Sequence, residues 1–374
     1  MLRECCSLPL DLTAIRAHAE KVGETRGFLR AAEQHGVVSS VAAALREAGG
    51  AIAEELQEGV RSSYKRQSLA TLSLCAELFH VAAMLQQAGV EFVATKGPVL
   101  AVRAYGEPGA RRYVDLDLLV CQNEILRVCE LLSSAGYTGN IPLEAVRSGR
   151  VPGEYIFHRD GTRAILELHT ERSFRFFPRP MPIEDFFRRK TTVAVDGWSV
   201  PVLSLEDEFV LISIHGAKHF WERLMWIGDV AALVHNCPQM DWSRVQQTAG
   251  DVGAERMVSV ALLLAERLLR VGVPAYMKGE VAADGACLSI AKKIETWLPC
   301  AGQEPPALMQ RALFRFRMRR QMLDGARYLT RLSLSPTEED WSGDAGYSNA
   351  SLRESLSRPF RLARKYRRDR KETN

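Results

Sequence analysis

Two aspartates, Asp115 and Asp117, stand one residue apart in the run Tyr113-Val-Asp-Leu-Asp-Leu-Leu-Val120. Polar and apolar positions alternate there as in a strand, so the two carboxylates share one face while Leu116, Leu118 and Val120 take the other. A third acid, Glu167, holds an alternating position in Ile165-Leu-Glu-Leu168. Three carboxylates gathered on adjacent strands repel one another unless a divalent cation neutralises them, and hard oxygen ligands of this kind suit Mg²⁺. The chemistry this implies is phosphoryl-type transfer. There the protein positions groups and neutralises charge, and two ions about 3.5–4 Å apart stabilise the attacking and leaving oxygens.

Upstream, Lys96-Gly97-Pro98 separates the β-rich run Val90 to Thr95 from a helix-like run, Val99 to Tyr105. A residue without a Cβ at that turn lets phosphate oxygens reach free N–H groups at a helix start, and Lys96 and Arg111 add positive charge beside it. Taken singly, each of these features also fits an ordinary solvated strand end or turn. The order strand, Lys-Gly, helix, loop, Arg, Asp-x-Asp, hairpin, Glu is far more restrictive, because every part falls where one site needs it. The hairpin is read from Glu154 to His169, with Arg159-Asp-Gly-Thr as its turn.

The elements that must hold this site follow from periodicity. Helical spacing runs from about Asp11 to Gln87, clearest from Leu69 to Leu85. It resumes after Leu205, with helices expected at Glu206 to Val234, Trp242 to Thr248, Ala254 to Val271, Ala286 to Trp297 and Pro306 to Leu332. The expected layout is an N-terminal helical region over 1–88, a small α/β core over 89–205, a C-terminal helical domain over 206–335 and a basic tail over 336–374. At 374 residues the chain exceeds a single core of about 250–300 residues.

The stretch from Thr95 to Val120 resembles the uncharacterised bacterial nucleotidyltransferase family of the DNA polymerase β superfamily. The likeness continues at Glu167-Leu-His169, at His215 to Asp229, at Pro336 to Trp341 and at Arg358 to Leu362. The resemblance implies an α+β fold, a small mixed-sheet polymerase β-like core enclosed by N- and C-terminal helices. It implies Asp115 and Asp117 as paired metal ligands, Glu167 as the third carboxylate, two Mg²⁺ ions, an NTP as co-substrate and an acceptor of unread identity. One position departs from the wider superfamily: Pro98 stands where a Ser or Gly usually follows the turn glycine, and it offers neither N–H nor hydroxyl. The triphosphate must then be held otherwise, with Lys96 as the candidate, and a fold retained as a binding or regulatory module without turnover stays open.

His215, His219, Trp226 and Asp229 are spaced to share one face of the helix expected over Glu206 to Val234. Three roles compete there: a zinc pair, a buried polar seam, or a helix that packs over the core so that Lys218, His219 and Arg223 face phosphates or acceptor. The resemblance favours the last. Trp221 and Trp226 are read as core packing rather than a base-stacking platform.

The remaining features set the class. Hydrophobic residues make up 47% and charged residues 25%, the balance of an ordinary globular protein. The formal charge is only +4, with basic residues concentrated over Arg358 to Lys371, a tail that either stays solvated or touches nucleic acid or anionic lipid. The eight cysteines form no CxxC pair, which argues against structural zinc. No run reaches the roughly 18 uninterrupted apolar residues of a membrane span, and a cytoplasmic location with reduced thiols is expected.

Overall fold

The computed structural model describes residues 1–50, 52–149, 153–162, 164–170, 179, 183–300 and 308–334. Arg163, the basic tail and the Pro336 to Trp341 motif lie outside the described residues.

Four helices lead the chain: α1 (Leu12–Ala19), α2 (Thr25–His35), α3 (Val38–Ala48) and the 34-residue α4 (Glu54–Gln87). The central region then alternates β1 (Phe92–Thr95), α5 (Gly97–Tyr105), β2 (Asp115–Val120), α6 (Ile125–Ser134), β3 (Tyr137–Gly139), α7 (Leu143–Arg147), β4 (Glu154–Arg159), β5 (Ile165–His169), α8 (Ile183–Arg188), β6 (Thr191–Val195) and β7 (Trp198–Val202). Helices follow to the end of the described residues: α9 (Leu205–Lys218), α10 (Leu224–Asn236), α11 (Trp242–Val252), α12 (Glu255–Leu269), α13 (Lys278–Ala283), α14 (Gly285–Trp297), α15 (Leu308–Arg317) and α16 (Met322–Leu334).

The strands form one mixed sheet in the order β3-β4-β5-β2-β1-β7-β6. The pairs β2/β5 and β1/β7 are parallel, and the others antiparallel. This is the α+β class expected, with helices from both ends of the chain around a sheet. Each face of the sheet buries a different core. On one face, Leu116, Leu118, Val120, Leu166 and Leu168 pack with Leu78 and Leu85 of α4 and Val128 and Leu132 of α6. On the other, Val93 and Leu119 join α5 and helices from both chain ends, including Ile15, Val41, Ile227 and Val258. Strand alternation makes this possible: a polar residue at every second position of β2 would be costly on the first face and finds partners on the second.

Helix α4 serves both cores, Leu56 and Val60 at its start entering one and Leu74 to Leu85 the other. By length and composition alone it passes as a membrane-crossing helix, but 44% of its apolar window is buried against the rest of the fold. Its buried Glu77 also accepts hydrogen bonds from the Tyr137 hydroxyl and the Arg159 guanidinium.

Three expectations change. The helix expected from Glu206 to Val234 is two, broken between Lys218 and Leu224, where Phe220 and Trp221 take φ of 59° and 53°. The run expected from Pro306 to Leu332 is likewise split into α15 and α16. Strands β3, β6 and β7 were not anticipated, although Asp196-Gly197, with φ of 47° and 86°, is the same Asp-Gly hairpin signal that marks the β4–β5 turn.

Candidate active site

The carboxylates meet because β2 and β5 run parallel in a register that sets Asp117 opposite Glu167 and Asp115 opposite Ile165. Residues two apart on one strand share a face, so Asp115 joins Asp117, and His169 joins Glu167. Ligand atoms of Asp117, Glu167 and His169 all lie within 4.8 Å of one another. The Nε2 atom of His169 stands 3.0 Å from Oδ1 of Asp117 and 3.5 Å from Oε2 of Glu167. Lys96 reaches the same Asp117 oxygen at 2.7 Å. His169 is the functional candidate that sequence reasoning passed over, although its two-residue offset from Glu167 was the available signal.

Lys96 enters from the turn between β1 and α5. Its φ of 53° with ψ of −140° is a strained conformation for a residue with a side chain, costing about 1–3 kcal/mol. Gly97 follows at φ 43°, which explains glycine there, and Pro98 sits buried in the first turn of α5. Strain of this kind persists where surroundings impose it, and here the ammonium is drawn onto the acidic face.

Charge in the cluster is unevenly compensated. Burial alone would raise the Asp117 carboxyl, but the Lys96 ammonium and the His169 hydrogen bond outweigh it and hold the group well below the usual carboxylate range. Among the described residues Asp115 has no such hydrogen-bonded partner: burial, then Asp117 and Glu167, push it up to about 6, against smaller relief from Lys96 and Arg111. Burial would lower His169, yet hydrogen bonds to Asp117 and Glu167 raise it to about 9. The donor set therefore fits a divalent cation. Two carboxylates and an imidazole, those of Asp117, Glu167 and His169, converge, and Asp115 on the same face stands outside that group but is held up by burial and by the group's charge.

The structure brings the α9–α10 connection to this site by an unexpected route. His215 near the end of α9, His219 just after it and Trp226 in α10 cluster with ring centroids 4.7–5.4 Å apart, across a break rather than along one helix. Burial holds His215 well below its ordinary value, and Lys96 is its next largest influence. Burial, then Lys218, Lys96, Arg315 and Arg223, bring His219 down to about 3. Both imidazoles are thus neutral among cations. Lys218 is exposed, and Arg223 lies over the Trp226 ring with 5.6 Å to its centroid. Arg315 of α15, not foreseen from sequence, adds its charge beside His219 and lies over Phe220. Trp221 is fully buried and Trp226 nearly so, as core packing requires.

Arg111, expected to add positive charge beside the turn, reaches Asp115 electrostatically while engaged with a buried partner. Its guanidinium is buried, 2.8 Å from Asp229 of α10, and Tyr105 donates to the same Asp229 oxygen at 3.0 Å. Asp229 accordingly joins this pair and not the histidine cluster.

The turn after α9 rests on Gly216. The Trp221 N–H closes it by donating to the Gly216 carbonyl at 2.9 Å. A Cβ at position 216 would stand 2.4 Å from the fully buried Trp221 ring. Helix propensity favours Ala over Gly by about 1 kcal/mol. Overpacking of a rigid indole costs about 1–3 kcal/mol and should win. We expect Gly216→Ala to lower the urea midpoint; an unchanged or raised midpoint would show that Trp221 yields freely.

Carboxylates on adjacent parallel strands, entered by a strand–turn–helix carrying a lysine, form a site whose donors suit a dication. The chain belongs to the family described as uncharacterised nucleotidyltransferase, whose model matches residues 23–270. No curated protein matches it. Among solved structures, an antigenic nucleotidyltransferase-like protein from Paracoccidioides brasiliensis is similar over 54% of this chain and 94% of its own, at 15% identity and a TM-score of 0.34. That likeness is too distant to bear on mechanism.

Proposed function

We propose that the chain is a Mg²⁺-dependent nucleotidyltransferase that moves a nucleotidyl group from an NTP to an acceptor oxygen and releases pyrophosphate. The observation that carries this reading is the β2/β5 register, which sets Asp117 against Glu167 with Asp115 on the same face. Asp115, Asp117 and Glu167 would hold two ions. When bound, Mg²⁺ supplies neutralisation of phosphate charge and activation of the acceptor oxygen.

The chain's own residues do the rest. Glu167, half-buried at the edge of the cluster, accepts the acceptor's proton. The acceptor oxygen then forms its bond to the α-phosphorus as the bond to the pyrophosphate oxygen breaks. Lys218, Arg223 and Arg315, grouped around neutral His219, supply the positive wall for the phosphates that Pro98 cannot contact. Lys96 holds Asp117 ionised, and Gly97 permits the turn that brings it there.

A second reading, a binding or regulatory module without turnover, draws support from Pro98 and from the commitment of Lys96 to Asp117. Calorimetry with each of the four NTPs, with and without Mg²⁺, separates the two. The catalytic reading expects at least one NTP to bind only with Mg²⁺, and that binding to vanish in an Asp115→Asn/Asp117→Asn variant. Absence of NTP binding in every condition sinks it.

A further inference from the structure

We propose that His169 is a nitrogen ligand of the metal site, and that this site therefore prefers a transition-metal dication over Mg²⁺, with Mn²⁺ as the spectroscopic probe. The proposal rests on the metal reading above and goes further by assigning a residue and a selectivity that three carboxylates alone would not produce.

The geometry is specific. Ligands at right angles around an ion with bonds near 2.1 Å lie about 3 Å apart. The His169 nitrogen is 3.0 Å from Asp117 and 3.5 Å from Glu167, and the ligand atoms of all three lie within 4.8 Å of one another, close to the spacing such a shell needs. The placement follows from the strand. His169 sits two residues beyond Glu167 on the same face of β5, beside Leu119 of β2, and its side chain is only 17% exposed. The ring is thus fixed toward the carboxylates by packing, not free to turn into solvent. The Asp115–Asp117 pair offers oxygen alone, whereas Asp117, Glu167 and His169 offer oxygen and nitrogen. Magnesium demands near-ideal octahedral oxygen coordination, while imidazole favours later divalent metals. A site with one nitrogen in its shell is therefore biased toward the transition metal.

A bland alternative gives the same distances: His169 donates a hydrogen bond to Asp117 and only positions it. Spectroscopy of bound Mn²⁺ distinguishes the two without reference to turnover. The full chain is titrated with Mn²⁺ alone, bound ion is counted from the loss of the free-ion paramagnetic resonance signal, and the bound fraction is examined for electron spin-echo modulation by ¹⁴N. Mg²⁺ is then added in competition.

The expected result is a bound Mn²⁺ with directly coordinated ¹⁴N in the wild type and in His158→Gln, a control at an exposed histidine of β4. In His169→Gln the coupling disappears and the preference for Mn²⁺ over Mg²⁺ falls by about tenfold or more, since even partners outside the first shell are worth about 10–100-fold. The wild-type spectrum alone decides the assignment should His169→Gln fail to fold. Mn²⁺ bound with an all-oxygen shell overturns the His169 assignment and leaves the metal reading standing. If neither Mn²⁺ nor Mg²⁺ binds, even with an NTP analogue present, both fall together.

Discussion

Asp115→Asn is expected to stabilise the metal-free chain, and Asp117→Asn to destabilise it, although the two residues are neighbours on one strand face and both variants should abolish metal-dependent NTP binding. The opposite signs come from their partners. Asp117 is buried with the Lys96 ammonium at 2.7 Å and the His169 ring at 3.0 Å, so an amide there leaves a largely buried cation without its counter-charge. Breaking a buried pair in this way costs about 3–5 kcal/mol. Asp115 is the reverse case, since burial and two flanking carboxylates push it up to about 6 from an ordinary value near 3.8. Its folded value lies above its unfolded one, so the folded state binds the extra proton. The stability tied to that proton is full below about pH 4 and lost as pH rises through about 6. By pH 7 the folded chain carries a penalty of up to about 3 kcal/mol that an amide does not.

Urea unfolding of wild type and both variants at pH 4, 5, 6 and 7, in chelator, checks this directly. The advantage of Asp115→Asn should open between pH 4 and 7, while Asp117→Asn should remain below wild type at pH 7. A divalent ion should then raise wild-type stability and leave Asp115→Asn behind, because the ion supplies the missing charge only where the carboxylate remains. Parallel losses in both variants at every pH would show that the cluster is not under electrostatic strain.

Much of this site was legible before any coordinates, and the parts that were not share a physical origin. The pairing of Asp115 with Asp117 follows from a two-residue period, which is local. Glu167 entered through the Asp-Gly turn that places its hairpin, again a local signal. The parallel register that sets Glu167 against Asp117 depends on the β2–β5 pairing, and no pattern within either strand states it. The two-residue period also puts His169 on the face of Glu167, but its contact with Asp117 depends on the same β2/β5 register.

The histidine cluster shows tertiary packing overriding periodicity. His215, His219 and Trp226 suggested a continuous helical face, but successive positive φ values at Phe220 and Trp221 end α9, and the rings meet by folding back. The break is stabilised from distant chain. His35 of α2 accepts the Leu224 N–H at 3.2 Å at the start of α10, a contact across 189 residues. Arg315, which joins the cations around His219, comes from still further along the chain. No local window joins His35 or Arg315 to that break.

Arg111 carries the other large expected effect, and the outcome tests whether it belongs to the scaffold or to the phosphates. In the fold its guanidinium is 6% exposed, its partner Asp229 only 2%, and Tyr105 donates to the same carboxylate oxygen. Truncating either charged member strands the other in a dry environment, so Arg111→Ala and Asp229→Ala should each lose about 3–5 kcal/mol in denaturant unfolding. A double Arg111→Met/Asp229→Leu variant removes both charges, Met staying close to Arg in volume and Leu adding bulk at 229, and it should be more stable than either single variant. Because Asp229 lies on α10 and Arg111 just before β2, the pair also fixes the histidine-bearing connection against the acidic face. The singles should therefore weaken metal-dependent NTP binding in proportion to their loss of folded structure, and the double should recover much of it. An arginine that contacts phosphate would behave differently: Arg111→Ala would lose nucleotide affinity with stability intact, and the Met/Leu double would not restore it. That pattern would move Arg111 out of the scaffold and into the nucleotide site.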